Sequence, residues 1–175
     1  MTFVGLDDFL HQRVAHHVLR PELGERPESS IEMEIVMGDA IKATATTLTV
    51  YGMTVTVNDS TRFEDGILRD LSDIGAHPLE IDAYASGSTV IATRIRHRST
   101  STPLLQGPVS AEGTNSLTIL GVTVNTSSGT AYKNINGASM SSADFFAAVN
   151  TGTVVKAKGT VSANIMTATE LEIED

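Results

Sequence analysis

The sequence predicts an all-β fold with short helices: two tandem OB-like five-stranded β-barrels behind an N-terminal extension. Three observations carry this. The stretch LTVYGMTVTV, Leu48 to Val57, returns as LTILGVTVNT, Leu117 to Thr126, and Gly121 stands 69 residues after Gly52. A repeat of this length announces two copies of one structural unit. Apolar and polar residues alternate over short runs, the period of a half-buried strand. Finally, each unit reads strand, strand, strand, short helix, strand, strand, the order of an OB-type barrel.

Residues 2–20 admit two readings. Phe3, Leu6, Phe9 or Leu10, Val14 and Val18 recur at helical spacing, with Asp7 and Asp8 at the start and Pro21 after the end. The competing reading is a strand around Arg13–Leu19 left from an earlier repeat. The Pro-, Gly-, Glu- and Ser-rich residues 21–30 read as a loop. Ile31, Met33 and Ile35 then alternate with Glu32 and Glu34, which predicts a strand leading into Val36–Ala45. Thr46 and Thr47 form a turn. Leu48 to Val57 gives a strand or strand pair interrupted by Gly52, where a bulge or sharp bend is expected. Asn58-Asp59-Ser60 is a turn before Thr61 and Phe63. Residues 66–75 hold one or two helical turns closed by Gly75. Leu79–Ala85 and Thr89–His97 are strands joined through Gly87.

Residues 99–103 (STSTP) read as a linker, after which the second unit retraces the first. Its long loop spans Asn134–Ser142, and Ser141 or Ser142 caps a helix around Ala143–Val149. Val154–Lys158 and Met166–Ile173 are its last strands. There Ala168-Thr169 follows Ala92-Thr93 by 76 residues instead of 69, so the second unit carries its insertion in the loop before the helix. The organisation expected is an extension over 1–30, a repeat over 31–98, a linker over 99–103 and a repeat over 104–175.

Composition narrows function by exclusion. The 175 residues carry a formal net charge of −9, with the acid excess spread along the chain. Such a surface repels phosphate backbones, and at 5% aromatics it offers few stacking platforms. Nucleic acid is therefore a disfavoured partner, and a single-strand-binding OB protein is the alternative reading. With zero cysteines there are no disulfides, thiolate metal sites or Cys nucleophiles. No run is long and apolar enough to span a membrane as a helix. The N-terminus lacks a basic segment followed by an apolar core, so no secretory signal is expected in this chain.

Candidate sites follow from residue type. His11, His16 and His17 lie within seven positions and are the candidate metal ligands, giving a second alternative, a His-dependent metal protein. No HExxH helix or carboxylate at zinc spacing accompanies them, so neither a metal nor any other cofactor is expected. Nucleophile elbows, P-loops and G-x-G-x-x-G are absent, and the chain reads as a non-enzyme. The face of the second and third strands is where OB barrels bind ligands. Here it carries Thr49, Thr54, Thr56, Thr118 and Thr123, whose hydroxyls suit a saccharide or peptide. Arg94, Arg96 and Arg98 form a basic strip. At the 76-residue shift their counterparts are Glu170, Glu172 and Glu174. Such strips suit unit–unit contact or self-association.

The pattern G-x-V-x-A, then L-T-I-L-G-V-T-V, a polar turn with Thr, F-x-A-x-V-x-x-G-x-V-V-K-A-K-G and a closing A-T-E-L-E-I-E resembles the bacterial domain-of-unknown-function 5666 family. The match is best over residues 107–173 and weaker over 38–98, where Gly75-Ala76-His77-Pro78 replaces the expected G-x-x-V. Residues 13–35 are faintly similar to the end of another unit. The resemblance implies tandem OB-like barrels in exported or envelope-associated proteins, with an unknown protein, peptide or saccharide partner. It implies no catalytic residues.

Overall fold

A computed structural model of the chain describes residues 33–36, 42–43, 46–64, 70–74, 78–99 and 102–174. Both readings of residues 2–20, and the 21–30 loop, lie outside the described residues. The first unit contains β1 (Met33–Val36), β2 (Lys42–Ala43), β3 (Thr47–Val50), β4 (Met53–Thr56), β5 (Arg62–Glu64), β6 (Leu79–Ser86) and β7 (Thr89–His97). The second contains β8 (Leu104–Gly113), β9 (Ser116–Ile119), β10 (Val122–Asn125), β11 (Ala131–Lys133), β12 (Ser139–Met140), helix α1 (Ser142–Ala148), β13 (Val154–Ser162) and β14 (Ile165–Ile173). The expected Asn134–Ser142 loop thus holds a two-residue strand, β12, paired to β11.

Strand pairing closes the second unit into a ring. β8 pairs with β9, β9 with β10, β10 with β14 in parallel, β14 with β13, and β13 back onto β8. This five-strand closure leaves no open edge within the ring, and it is the OB order. The first unit repeats the order, with β1 and β2 together at the first-strand position. β2 pairs with β3, β3 with β4, β4 with β7 in parallel, β7 with β6, and β6 with β1. The barrels are also joined to each other, because β1 pairs with β8 through Ile35↔Leu105 and Val36↔Leu104.

The repeat extends to irregularities. The ladder shifts between Asp82 and Ala83 in one barrel and between Lys158 and Gly159 in the other, 76 residues on. In both, a threonine on the facing strand secures the bulge: Thr93 Oγ1 donates to the Asp82 carbonyl and Thr169 Oγ1 to the Lys158 carbonyl, each at 3.1 Å. The polar turns repeat as well. Thr61 Oγ1 donates to the Ala92 carbonyl at 2.8 Å, and Thr130 Oγ1 to the Ala168 carbonyl at 2.7 Å. The repeated Ala-Thr pairs and turn threonines are therefore fastenings of the last strand.

Alternation decides what is buried. Leu48, Val50, Val55, Leu79, Ile81 and Ile95 fill the first barrel, and Leu105, Leu117, Ile119, Val124, Val155 and Leu171 fill the second. A short helix closes the second core. Ser141 caps it by accepting from the Asp144 N–H at 3.1 Å. Phe145 is fully buried, its ring 5.2 Å from Tyr132 and 5.7 Å from Phe146. The first barrel uses a 3-10 turn, Leu71–Asp73, capped by Asp70, and buries Leu71 and Ile74.

Gly52 and Gly121 differ from expectation. They are not bends within one curling strand, nor bulges. Each is the second residue of a two-residue hairpin turn with both φ values positive: Tyr51 at 50° and Gly52 at 80°, Leu120 at 53° and Gly121 at 81°. Such turns match the right-handed twist of the strands they join. A Cβ on Gly121 would meet nothing within 4 Å, so a side chain there costs backbone energy alone. Gly121→Val is expected to destabilise the second barrel by about 1–2 kcal/mol, the penalty of a β-branched residue in left-handed backbone. An unchanged thermal midpoint would count against the turn geometry.

Candidate functional site

The predicted ligand face consists of cross-strand pairs. Thr49 faces Thr54 and Thr47 faces Thr56 on the β3–β4 hairpin, while Thr118 faces Thr123 on β9–β10. Inward neighbours Leu48, Val50, Val55, Leu117, Ile119 and Val124 are buried, which turns every one of these threonines outward. Thr54 and Thr123 are exposed; Thr49, Thr56 and Thr118 are half-buried. The structure thus gathers Thr49, Thr54 and Thr56 on one barrel, and Thr118 and Thr123 on the other. Next to Thr123 lies Ile165, one of two large apolar side chains that stand exposed among the described residues.

The two charged strips run along the last strand of each barrel to one residue past its end, and they find opposite charges within their own barrel. In the first, Arg94 pairs with Asp82, with Glu80 at 3.4 Å and with Glu64 at 3.6 Å. Arg96 and Arg98 also pair with Glu80. Glu80 points away from the barrel core, yet only 2% of it is exposed. The three guanidinium groups cover it. In the second barrel, Lys158 meets Glu170 at 2.7 Å, and Lys156 meets Glu172 at 3.3 Å and Glu174 at 2.5 Å. Lys133 meets Glu170 at 2.6 Å.

At the repeat shifts these are one network with its signs exchanged. Glu64 corresponds to Lys133 at the 69-residue shift. Glu80, Asp82, Arg94, Arg96 and Arg98 correspond to Lys156, Lys158, Glu170, Glu172 and Glu174 at the 76-residue shift. Three acids and three bases make up each network, so each network is neutral. Only one strand of each set stands out as a strip in the sequence. The missing residues, Glu64, Glu80, Asp82, Lys133, Lys156 and Lys158, were visible as sign reversals at repeat-equivalent positions.

Protonation follows this pairing. Hydrogen bonds from Lys133 and Lys158 hold the Glu170 carboxyl below its ordinary range, and the bond to Glu170 raises Lys133. Burial pulls Lys156 down, but its bonds to Glu174 and Glu172 outweigh this and raise it. In the first barrel, burial raises the Asp82 carboxyl against the pull of Arg94, and the bond to Glu80 raises Arg96. The signs give a pH prediction. A lysine raised above its ordinary 10.5 adds stability that is present below that pH and lost as pH rises through the folded value. Arginines stay charged well beyond that range. The second barrel is therefore expected to loosen first under alkali. Amide exchange above about pH 10 should show β13 and β14 opening before β6 and β7. In acid, the lowered Glu170 contributes stability that is present above its ordinary 4.5 and lost as pH falls through its folded value.

His11, His16, His17 and His77 lie outside the described residues, and His97 ends β7 opposite Leu79. Among the described residues no three His, Asp or Glu side chains gather as metal ligands. Asp70 accepts from the Ser72 N–H at 2.7 Å, a capping role. No helix among the described residues is long and apolar enough to cross a membrane.

A family model described as Domain of unknown function (DUF5666) matches residues 39–96 and 106–172, one stretch in each barrel. No curated protein and no solved structure matches the chain.

Proposed function

The chain belongs to the DUF5666 family, and from that membership we propose that it is a non-enzymatic binding module of the cell envelope or extracytoplasmic space, engaging a saccharide or peptide on the threonine faces. One observation carries the reading: outward hydroxyls stand in facing pairs, Thr49 with Thr54 and Thr118 with Thr123, on the two strands that OB barrels use for ligands. Paired hydroxyls donate and accept without a charge to desolvate, which suits sugar hydroxyls and peptide amides. The charged groups of the two networks are engaged with one another on other strands.

Amide chemical shifts test it. Titration with peptidoglycan fragments, neutral oligosaccharides and a mixed peptide pool should move resonances of residues 47–56 and 116–125. The movement should vanish in Thr54→Lys with Thr123→Lys, at unchanged thermal midpoint. Absence of movement with all three probes overturns the binding face. Recovery of the protein from the cytosolic fraction of its own cells overturns the compartment.

A further inference from the structure

We propose that the exchange of charge signs between the two barrels is a device that keeps the strands of one barrel from being built into the other. Tandem copies of one unit invite this error, because each contains strands that fit the other's place. Here the fit is close. The parallel pairing of β4 with β7 and of β10 with β14 keeps equivalent registers, and the β6–β7 and β13–β14 bulges fall at equivalent positions, differing there in Ala83 against Gly159. The inward residues discriminate little: Val90, Ala92 and Ile95 on β7 stand where β14 has Met166, Ala168 and Leu171.

The outward charges do discriminate. If β14 took the place of β7, then Glu170, Glu172 and Glu174 would join Glu64, Glu80 and Asp82, six acids with no base. The converse would crowd Arg94, Arg96 and Arg98 against Lys133, Lys156 and Lys158. Exchange of a whole β13–β14 hairpin for β6–β7 keeps each hairpin's internal pairs but still sets Glu64 beside Glu170 and Lys133 beside Arg94. Like charges facing one another disfavour pairing. Built-in repulsion against the wrong partner is how specificity is gained when attractive contacts are alike. In the native pairing every one of these charges meets an opposite one.

The test equalises the barrels without unpairing either. In one matched variant the second barrel takes the first barrel's charges: Lys133→Glu, Lys156→Glu, Lys158→Asp, Glu170→Arg, Glu172→Arg and Glu174→Arg. A second matched variant gives the first barrel the second's charges. An exchanged variant carries both sets of changes, so the barrels again differ. The chain has no cysteine, so Thr56→Cys with Thr167→Cys, added to each, reports β14 lying beside β4 by disulfide formation after refolding from denaturant. The same cysteine pair on native charges sets the baseline. We expect both matched variants to raise the disulfide-linked fraction at least tenfold over baseline, with swapped dimers increasing with concentration, and the exchanged variant to stay at baseline. Matched variants that refold at baseline overturn the proposal. So does an exchanged variant that misfolds as the matched ones do, since residue identity rather than the difference between barrels would then be at work.

Discussion

Gly159→Ala is expected to lower the stability of the second barrel by roughly 3 kcal/mol, the upper end of what one added methyl costs in a packed site. The reason is a backbone contact. A Cβ at Gly159 would lie 2.0 Å from the Thr167 carbonyl oxygen, 2.8 Å from its carbon and 2.9 Å from the Ala168 Cα. None of these is the end of a flexible side chain that could swing away. Relief requires β13 and β14 to separate at the bulge, which strains the Thr169 bond to the Lys158 carbonyl and the Gly159 N–H bond to the Pro103 carbonyl. The equivalent residue in the first barrel is Ala83, buried and carrying the methyl group that Gly159 lacks. The two barrels therefore set their strands differently at the same bulge. Ala83→Gly should cost only about 0.5–1 kcal/mol, mostly chain entropy. Denaturant unfolding followed by barrel-specific resonances measures both. Equal, small losses at the two positions would refute the close approach at Gly159.

Much of the architecture was legible because it rests on side-chain period and repetition. Leu48, Val50 and Val55 alternate in the sequence and point inward in the structure. The constant 69-residue shift located the second barrel, and the change to 76 placed its extra residues between β11 and β13. The hairpin turns were harder to read. Tyr51-Gly52 and Leu120-Gly121 lack the Asn-Gly or Asp-Gly signature, so only the glycine marked them, and a lone glycine serves a bulge or a turn equally well. The bulge at Gly159 gave no local signal, since its twin is alanine. The threonine faces were predictable from strand order. The charge network was half visible: Arg94, Arg96 and Arg98 formed an evident strip, but their partners Glu80 and Asp82 lie on the preceding strand. Which charges meet depends on cross-strand register, and a one-residue bulge between Asp82 and Ala83 shifts that register.

Glu80→Leu is expected to cost the first barrel roughly 3 kcal/mol, near the lower bound for removing one partner of a buried ion pair. Glu80 is the hub: Arg94, Arg96 and Arg98 all reach its carboxylate. Without it, three guanidinium groups share one strand face with only Asp82 and Glu64 to balance them. Their side chains remain about a third exposed, so they can turn toward water, and this keeps the loss below that of a fully enclosed pair. For a unit of this size such a loss corresponds to a fall of roughly 10–20 °C in the thermal midpoint of that barrel. Lys156→Leu in the second barrel should cost less, roughly 1 kcal/mol, because its partners Glu172 and Glu174 are themselves partly solvated. Combining Glu80→Leu with Arg96→Leu separates the causes. If the single loss is the cost of stranded positive charge, the pair should recover part of it, since an apolar contact replaces an unpaired ion. If the double variant is as unstable as the sum of the singles, Glu80 acts through packing rather than charge, and the network does not organise that face.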